Sequence, residues 1–163
     1  MNIGNEIDSL ATEILDLCRT QGLRITTAES CTGGLIIASL TNIEGSSDVI
    51  DRGFITYSNE SKCEMLNVRL ELLSMHGAVS APVASAMCEG AMNNSDAELA
   101  VSVTGIAGPG GGTADKPVGT VYIGTSLVED RTLYQKYFFE GGRDSIRQQT
   151  VLAALTSLKS RIT

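Results

Sequence analysis

The sequence predicts a single α/β domain, three layers deep, with helices on both faces of a mixed, mostly parallel central sheet. Three observations point there. Helical and extended patterns alternate through the first two thirds of the chain, and two extended segments follow one another near its end. A length of 163 residues suffices for one substantial core and is short for two. No internal repeat or linker divides residues 1–163, which read as one domain.

Each element follows from local pattern. Ile3, Ile7, Leu10, Ile14 and Leu17 recur at three- and four-residue spacing, the mark of an amphipathic helix that Gly22 ends. Residues 23–27 read as a short strand. The polar, glycine-rich turn 29–34 leads into the apolar run 35–40, read as a buried helix closing at Gly45, and Ser46, Ser47 and Asp48 suit the cap of another short turn. Residues 54–58 alternate as a strand, Asn59 is the expected N-cap, and 60–66 is helical behind it. Residues 69–75 form a second short helical piece, and Pro82 stands in the permitted first turn of a third helix over 82–93. Residues 99–104 are a buried strand running into the glycine-rich stretch 105–112. Residues 118–127 and 132–139 read as a hairpin about Glu129 and Asp130. In the last helix, roughly 144–161, Val151, Ala154, Leu155, Leu158 and Ile162 share one face.

Composition narrows the function. The chain is 42% hydrophobic and 19% charged, within the globular range, and its aromatics are three Phe and four Tyr with no Trp, so the core is aliphatic. Net charge is −7 and the 12 basic residues are scattered, which argues against a nucleic-acid partner, since phosphate backbones are bound by concentrated Lys and Arg. No apolar run has the length of a membrane span, and the acidic start MNIGNEIDSL carries no signal-peptide pattern; a cytoplasmic protein is expected. Cys18, Cys31, Cys63 and Cys88 show no CxxC spacing and lie far from the single histidine, His76. They read as free thiols, and neither a metal nor a cofactor is expected.

Chemistry concentrates where strands run into unusual turns: 29–34, 57–62 and 104–112. In open α/β sheets ligands bind beyond the carboxyl ends of parallel strands, where such loops converge. The first loop offers the hydroxyls of Ser30 and Thr32, then Gly33 and Gly34 opening a helix whose free amides suit an anion or oxyanion; a plain helix cap is the competing reading. In the second, Lys62 falls in the first turn of its helix, where the macrodipole disfavours positive charge. A partly buried, neutral lysine can act as general base toward a serine hydroxyl, so Ser30 and Lys62 could pair, with Tyr57 relaying or orienting a proton. The competing reading is an ordinary exposed lysine. The third loop, Thr104 and Gly105 onward, could wrap a substrate with backbone amides or be a flexible surface loop.

Six ordered segments resemble one family: TAESCTGG (27–34), GSS (45–47), TYSN (56–59) with Lys62, GAVS (77–80), TGIAGP (104–109) and KPVGTV (116–121). The chain is similar, from about residue 5 to 160, to the CinA C-terminal domain family, whose stand-alone members are nicotinamide mononucleotide deamidases. The resemblance implies hydrolysis of the carboxamide of nicotinamide mononucleotide to nicotinic acid mononucleotide and ammonia. It implies Ser30 as nucleophile, Lys62 as its base and Tyr57 assisting, with the backbone of Thr32, Gly33 and Gly34 as candidate oxyanion donors. It also implies substrate contacts at Ser46, Ser47, Asn59, Thr104 and Gly105, and a 5′-phosphate bound by Arg143. No metal or cofactor is implied. Many members carry a further N-terminal domain resembling molybdopterin-binding proteins; it is not among these residues, and activity depending on it is expected to be absent.

Rival readings stand beside this one. Cys31 is intrinsically the stronger nucleophile, and a helix N-terminus would lower its pKa. His76, before Gly77, reads as a helix-end residue rather than a base. A non-catalytic interaction role associated with competence or DNA damage, or a nucleotide-binding module without turnover, would also fit the fold. The expected partner is a small-molecule nucleotide, and a homo-oligomer is expected.

Overall fold

A computed structural model describes residues 2–163. The elements in chain order are α1 (Ile3–Gln21), β1 (Ile25–Glu29), α2 (Leu35–Thr41), β2 (Ile50–Ile55), α3 (Asn59–Leu66), α4 (Leu70–His76), α5 (Ala81–Asn93), β3 (Leu99–Gly105), β4 (Thr120–Leu127), β5 (Leu133–Phe138) and α6 (Arg143–Ser160), with a 3-10 turn at Ser46–Asp48. The strands lie in the order β2-β1-β3-β4-β5. β1 pairs in parallel with β2 and β3, β3 antiparallel with β4, and β4 antiparallel with β5, so β4 alone runs against the others. Helices cover both faces. Leu15 of α1, Ile36 of α2 and Leu155 of α6 pack with Ile25, Val101 and Ile123 on one face. Leu66, Leu73, Val83 and Met87 from α3, α4 and α5 pack with Ala28 on the other. Burying such aliphatic side chains contributes about 1.5–3 kcal/mol each before entropy is counted. The three-layer, mostly parallel architecture expected from the sequence is what forms.

Several boundaries differ from the sequence reading, each for a local reason. β1 starts at Ile25 rather than 23 because the end of α1 uses Leu23: Gly22 is left-handed (φ 69°), and the Leu23 N–H donates to the Cys18 carbonyl, closing the helix. α2 ends at Thr41; Gly45 instead precedes the 3-10 turn. β2 runs Ile50–Ile55, not 54–58. It is an edge strand whose Asp51, Arg52 and Gly53 break the expected alternation. Ser58, not Asn59, caps α3: its Oγ accepts from the Ser61 N–H, and Asn59 is the first helical residue.

The topology positions the site. From β1 the chain goes outward to β2 and then crosses back, through α3, α4 and α5, to β3 on the other side of β1. The crevice beyond the carboxyl ends of β1 and β3 is therefore the switch point of the sheet.

Candidate active site

At that switch point lies a cavity of about 280 Å³, toward the small end of ligand sites, walled by Ser30, Tyr57, Asn59, Lys62, Thr104, Gly105 and Arg143 among others. Ser30 follows β1 directly, and its N–H donates to the Val103 carbonyl, so the parallel ladder with β3 extends to the residue itself. It is 8% exposed. The Thr56 N–H likewise donates to the Glu29 carbonyl, carrying the β1–β2 ladder to the start of the second loop.

Lys62 points inward from α3 and is only 1% exposed. Its Nζ lies 2.7 Å from the Thr56 carbonyl, 3.4 Å from the Tyr57 carbonyl and 3.1 Å from Ser30 Oγ. No carboxylate forms a salt bridge with it among the described residues. Burial pushes the amine below its ordinary value, against a smaller opposing pull from the Cys31 and Cys63 thiols. The acceptor count suits the uncharged form. Two N–H groups can go to the two carbonyls, which leaves a lone pair to accept the Ser30 hydroxyl proton.

The remaining predicted residues separate into two groups. Arg143 and Tyr57 meet at the rim: the Arg143 guanidinium donates to the Gly108 carbonyl (2.7 Å) and the Tyr57 hydroxyl (3.2 Å). Tyr57 is 65% exposed, and its hydroxyl forms a hydrogen bond to neither Ser30 nor Lys62 among the described residues. The expected proton relay through that hydroxyl finds no hydrogen bond to carry it; the backbone carbonyl of Tyr57 touches Lys62 instead. Thr104 lines the cavity with its hydroxyl donated to the Ala78 carbonyl, and Gly105 lies so close to Val121 that a Cβ there would be 2.6 Å from its side chain.

Thr32, Gly33 and Gly34 lie behind Ser30 in the turn after β1, and Glu29 explains why. Glu29 is fully buried, and its carboxylate accepts from the Thr32 hydroxyl (2.6 Å) and the amides of Gly34, Ile36 and Ile37. It occupies the end of α2 that the sequence offered to an oxyanion. The Gly33 N–H is spent on the Ser30 carbonyl. The expectation that Gly33 and Gly34 supply oxyanion donors therefore fails, while the amides of Cys31 and Thr32 have no hydrogen-bond acceptor among the described residues. Ser46 and Ser47 are also away from the cavity. They precede β2, whose six residues carry the chain about 20 Å to the other end of the sheet. Ser46 reaches the Thr41 carbonyl instead, and Ser47 is exposed.

Cys31 is the rival candidate for nucleophile. Cys31 lines the cavity, yet burial pushes its thiol up to about 12, so it holds its proton at neutral pH. Burial outweighs the lowering expected from a helix N-terminus, and the nearby Glu29 carboxylate, which takes up the amides of that terminus, raises the thiol further. His76 ends α4, exposed, where its carbonyl accepts from Lys116 Nζ. Sequence reasoning missed Ala78 and Val79 as cavity wall and Arg147 as a partner of the Ser30 turn; the glycine-rich loop that supplies Ile106, Ala107, Gly108, Gly110 and Gly111 was legible. Among the described residues no group of three His, Cys, Asp or Glu is placed to hold a metal, and no helix is long and apolar enough to cross a membrane.

Comparison with known proteins places this arrangement. The profile of the CinA C-terminal domain matches residues 7–162. The chain is 44% identical over 154 residues to the nicotinamide-nucleotide amidohydrolase PncC of Escherichia coli (strain K12), covering 94% of this chain and 93% of that protein. It is 50% identical over 155 residues to a CinA-like protein of Syntrophobacter fumaroxidans, covering 95% of this chain but spanning only 36% of that longer relative. The crystal structure of the competence/damage inducible protein CihA from Agrobacterium tumefaciens superposes with a TM-score of 0.93 at 48% identity, covering 95% of this chain and 94% of that one. The match runs through every element that builds the crevice, and the chain belongs to the CinA C-terminal domain family.

Proposed function

We propose that this protein is a nicotinamide-nucleotide amidase, converting nicotinamide mononucleotide and water into nicotinic acid mononucleotide and ammonia. The observation that carries the reading is a buried lysine amine with no salt-bridge partner among the described residues, 3.1 Å from a serine hydroxyl at the switch point of the sheet. The full-length similarity to PncC proteins, named nicotinamide-nucleotide amidohydrolases, supports the choice of substrate.

In this mechanism the uncharged Lys62 takes the Ser30 proton as Oγ attacks the carboxamide carbon. The negative charge that develops on the carbonyl oxygen is met by backbone amides; those of Cys31 and Thr32 are the free candidates, and such a donor contributes about 3 kcal/mol of transition-state stabilisation. The C–N bond breaks as the Lys62 ammonium returns the proton to the leaving nitrogen, releasing ammonia and leaving an ester on Ser30. Water then attacks that ester with Lys62 again as base, and nicotinic acid mononucleotide departs with Ser30 restored. Arg143, at the rim with its guanidinium on neutral oxygens, would exchange those acceptors for the dianionic 5′-phosphate, an interaction roughly twice as strong per bond. Tyr57 and Asn59 line the same cavity, Tyr57 beside Arg143.

The decisive experiment is ammonia release from nicotinamide mononucleotide by purified protein, with nicotinic acid mononucleotide formed in equal amount and both lost in Ser30→Ala. Nucleotide binding without ammonia release would sink the enzymatic reading.

A further inference from the structure

We propose that Arg147 is a positioning residue for Ser30: from α6 its guanidinium grips two successive carbonyls of the nucleophile turn and so fixes how the serine hydroxyl is presented to Lys62. This rests on reading Ser30 as the nucleophile.

The turn needs such support. Between β1 and α2 the chain has no regular structure, and it passes through two consecutive left-handed glycines, Gly33 (φ 58°) and Gly34 (φ 103°), the residue type with the most backbone freedom. Its entry is held by the Ser30 N–H on the Val103 carbonyl, and its exit by Glu29, which accepts from the Thr32 hydroxyl and the Gly34 amide. The Cys31–Thr32 peptide group between those anchors has neither support. Its carbonyl accepts from Arg147 Nε at 3.1 Å, and the next carbonyl, of Thr32, accepts from Arg147 Nη2 at 3.1 Å. A planar fork with parallel donors matches two adjacent carbonyls, which a lysine ammonium does not. Arg147 forms no salt bridge among the described residues, so its charge is directed at this turn.

The grip also has an electrical consequence. The peptide bond is planar and trans, so drawing the Cys31 carbonyl toward α6 turns the Thr32 N–H to the opposite side. That N–H is one of the two amides with no acceptor. A cation on the carbonyl end polarises the whole peptide group and strengthens its N–H as a donor. Arg147 thereby acts on the reacting atoms through the backbone without touching substrate; it is absent from the cavity wall, unlike Arg143.

The test compares wild type, Arg147→Met and Arg147→Lys in two assays. One is labelling of Ser30 by a fluorophosphonate, in which Oγ attacks phosphorus, the P–F bond breaks, fluoride leaves and the proton passes to Lys62. The other is turnover of nicotinamide mononucleotide. Displacement of the nucleophile by a fraction of an ångström to an ångström predicts that R147M loses about 30- to 100-fold in both labelling rate and kcat. KM should stay within about threefold, because no substrate contact is removed. R147K should be intermediate, one ammonium engaging one carbonyl. Folded R147M that labels and turns over at the wild-type rate overturns the proposal, as does a loss expressed in KM with kcat unchanged. If R147M does not fold, R147K decides: undiminished labelling overturns the role, and a folded protein with slow labelling supports it. Wild-type Ser30 that resists the probe overturns the nucleophile assignment itself, a failure distinct from a reactive wild type with an equally reactive R147M.

Discussion

Lys62 Nζ stands 3.1 Å from Ser30 Oγ, its other hydrogen-bond partners are the Thr56 and Tyr57 carbonyls, and among the described residues no carboxylate forms a salt bridge with it. In the proposed mechanism the serine has its base in place before substrate arrives, and burial, which makes the charged form costly, shifts that amine toward its neutral form. The expected consequences can be measured one residue at a time.

Ser30→Ala should reduce ammonia release to background. Lys62→Met should reduce it by about 10²- to 10⁴-fold, the range for losing a positioned general base. Cys31→Ser should keep it within about threefold, since the thiol is protonated at neutral pH and the serine beside it is intact. Activity surviving in the first variant but lost in the third would transfer the nucleophile to Cys31.

The rate should rise with pH to a plateau whose acid limb lies below 10.5, the ordinary lysine value, because the native amine loses its proton early. Stability follows by linkage. Between the native and unfolded values the unfolded chain binds more protons at residue 62, so unfolding becomes harder as pH rises through that window. Below it, the full cost of the buried charge is present. Denaturant titrations of wild type against Lys62→Met should therefore show a gap in the variant's favour that narrows toward pH 10.5. A gap that is constant or widens would argue that the native amine is charged.

Arg143→Ala should raise KM for nicotinamide mononucleotide by about 10- to 100-fold, the worth of one or two charge-assisted hydrogen bonds. Nicotinamide riboside, which lacks the phosphate, should be turned over equally by both proteins. Equal losses on the two substrates would show that Arg143 serves the loop at Gly108 and not the phosphate.

Gly90→Ala should destabilise the domain by about 1–3 kcal/mol in urea titrations. Gly90 of α5 faces the end of α3, and a Cβ there would overlap the Leu66 carbonyl and crowd the Leu66 Cβ at 2.9 Å. α3 also carries Lys62, so kcat should fall in the same variant. Wild-type stability would mean that the two helices slide apart at no cost.

What the sequence made legible was local. The spacing of apolar residues in α1, proline at the start of α5 and the glycine turns after β1 and β3 act within a few positions, and the structure reproduces them. Placing Lys62 in the first turn of a helix was enough to suspect a lowered pKa; the direction agrees, with burial and not the helix end as its largest cause. β2 was misplaced because an edge strand needs only one neighbour and tolerates Asp51 and Arg52 where a central strand would not. The segment containing Ser46 and Ser47 matches in order along the chain, and order says nothing of which end of a strand a residue occupies. Glu29 looked like one more polar residue of a loop; only folded geometry reveals that its carboxylate collects the amides of α2.

Cys31 and Arg147 meet across 116 positions of chain, and Thr32 and Arg147 across 115. The serine and the lysine are both made early during synthesis, yet the brace behind them arrives with the final helix. A chain ending before α6 would lack the guanidinium that holds the Cys31 and Thr32 carbonyls, so under the proposed role of Arg147 the ordering of this turn waits on the last of the helices to be made.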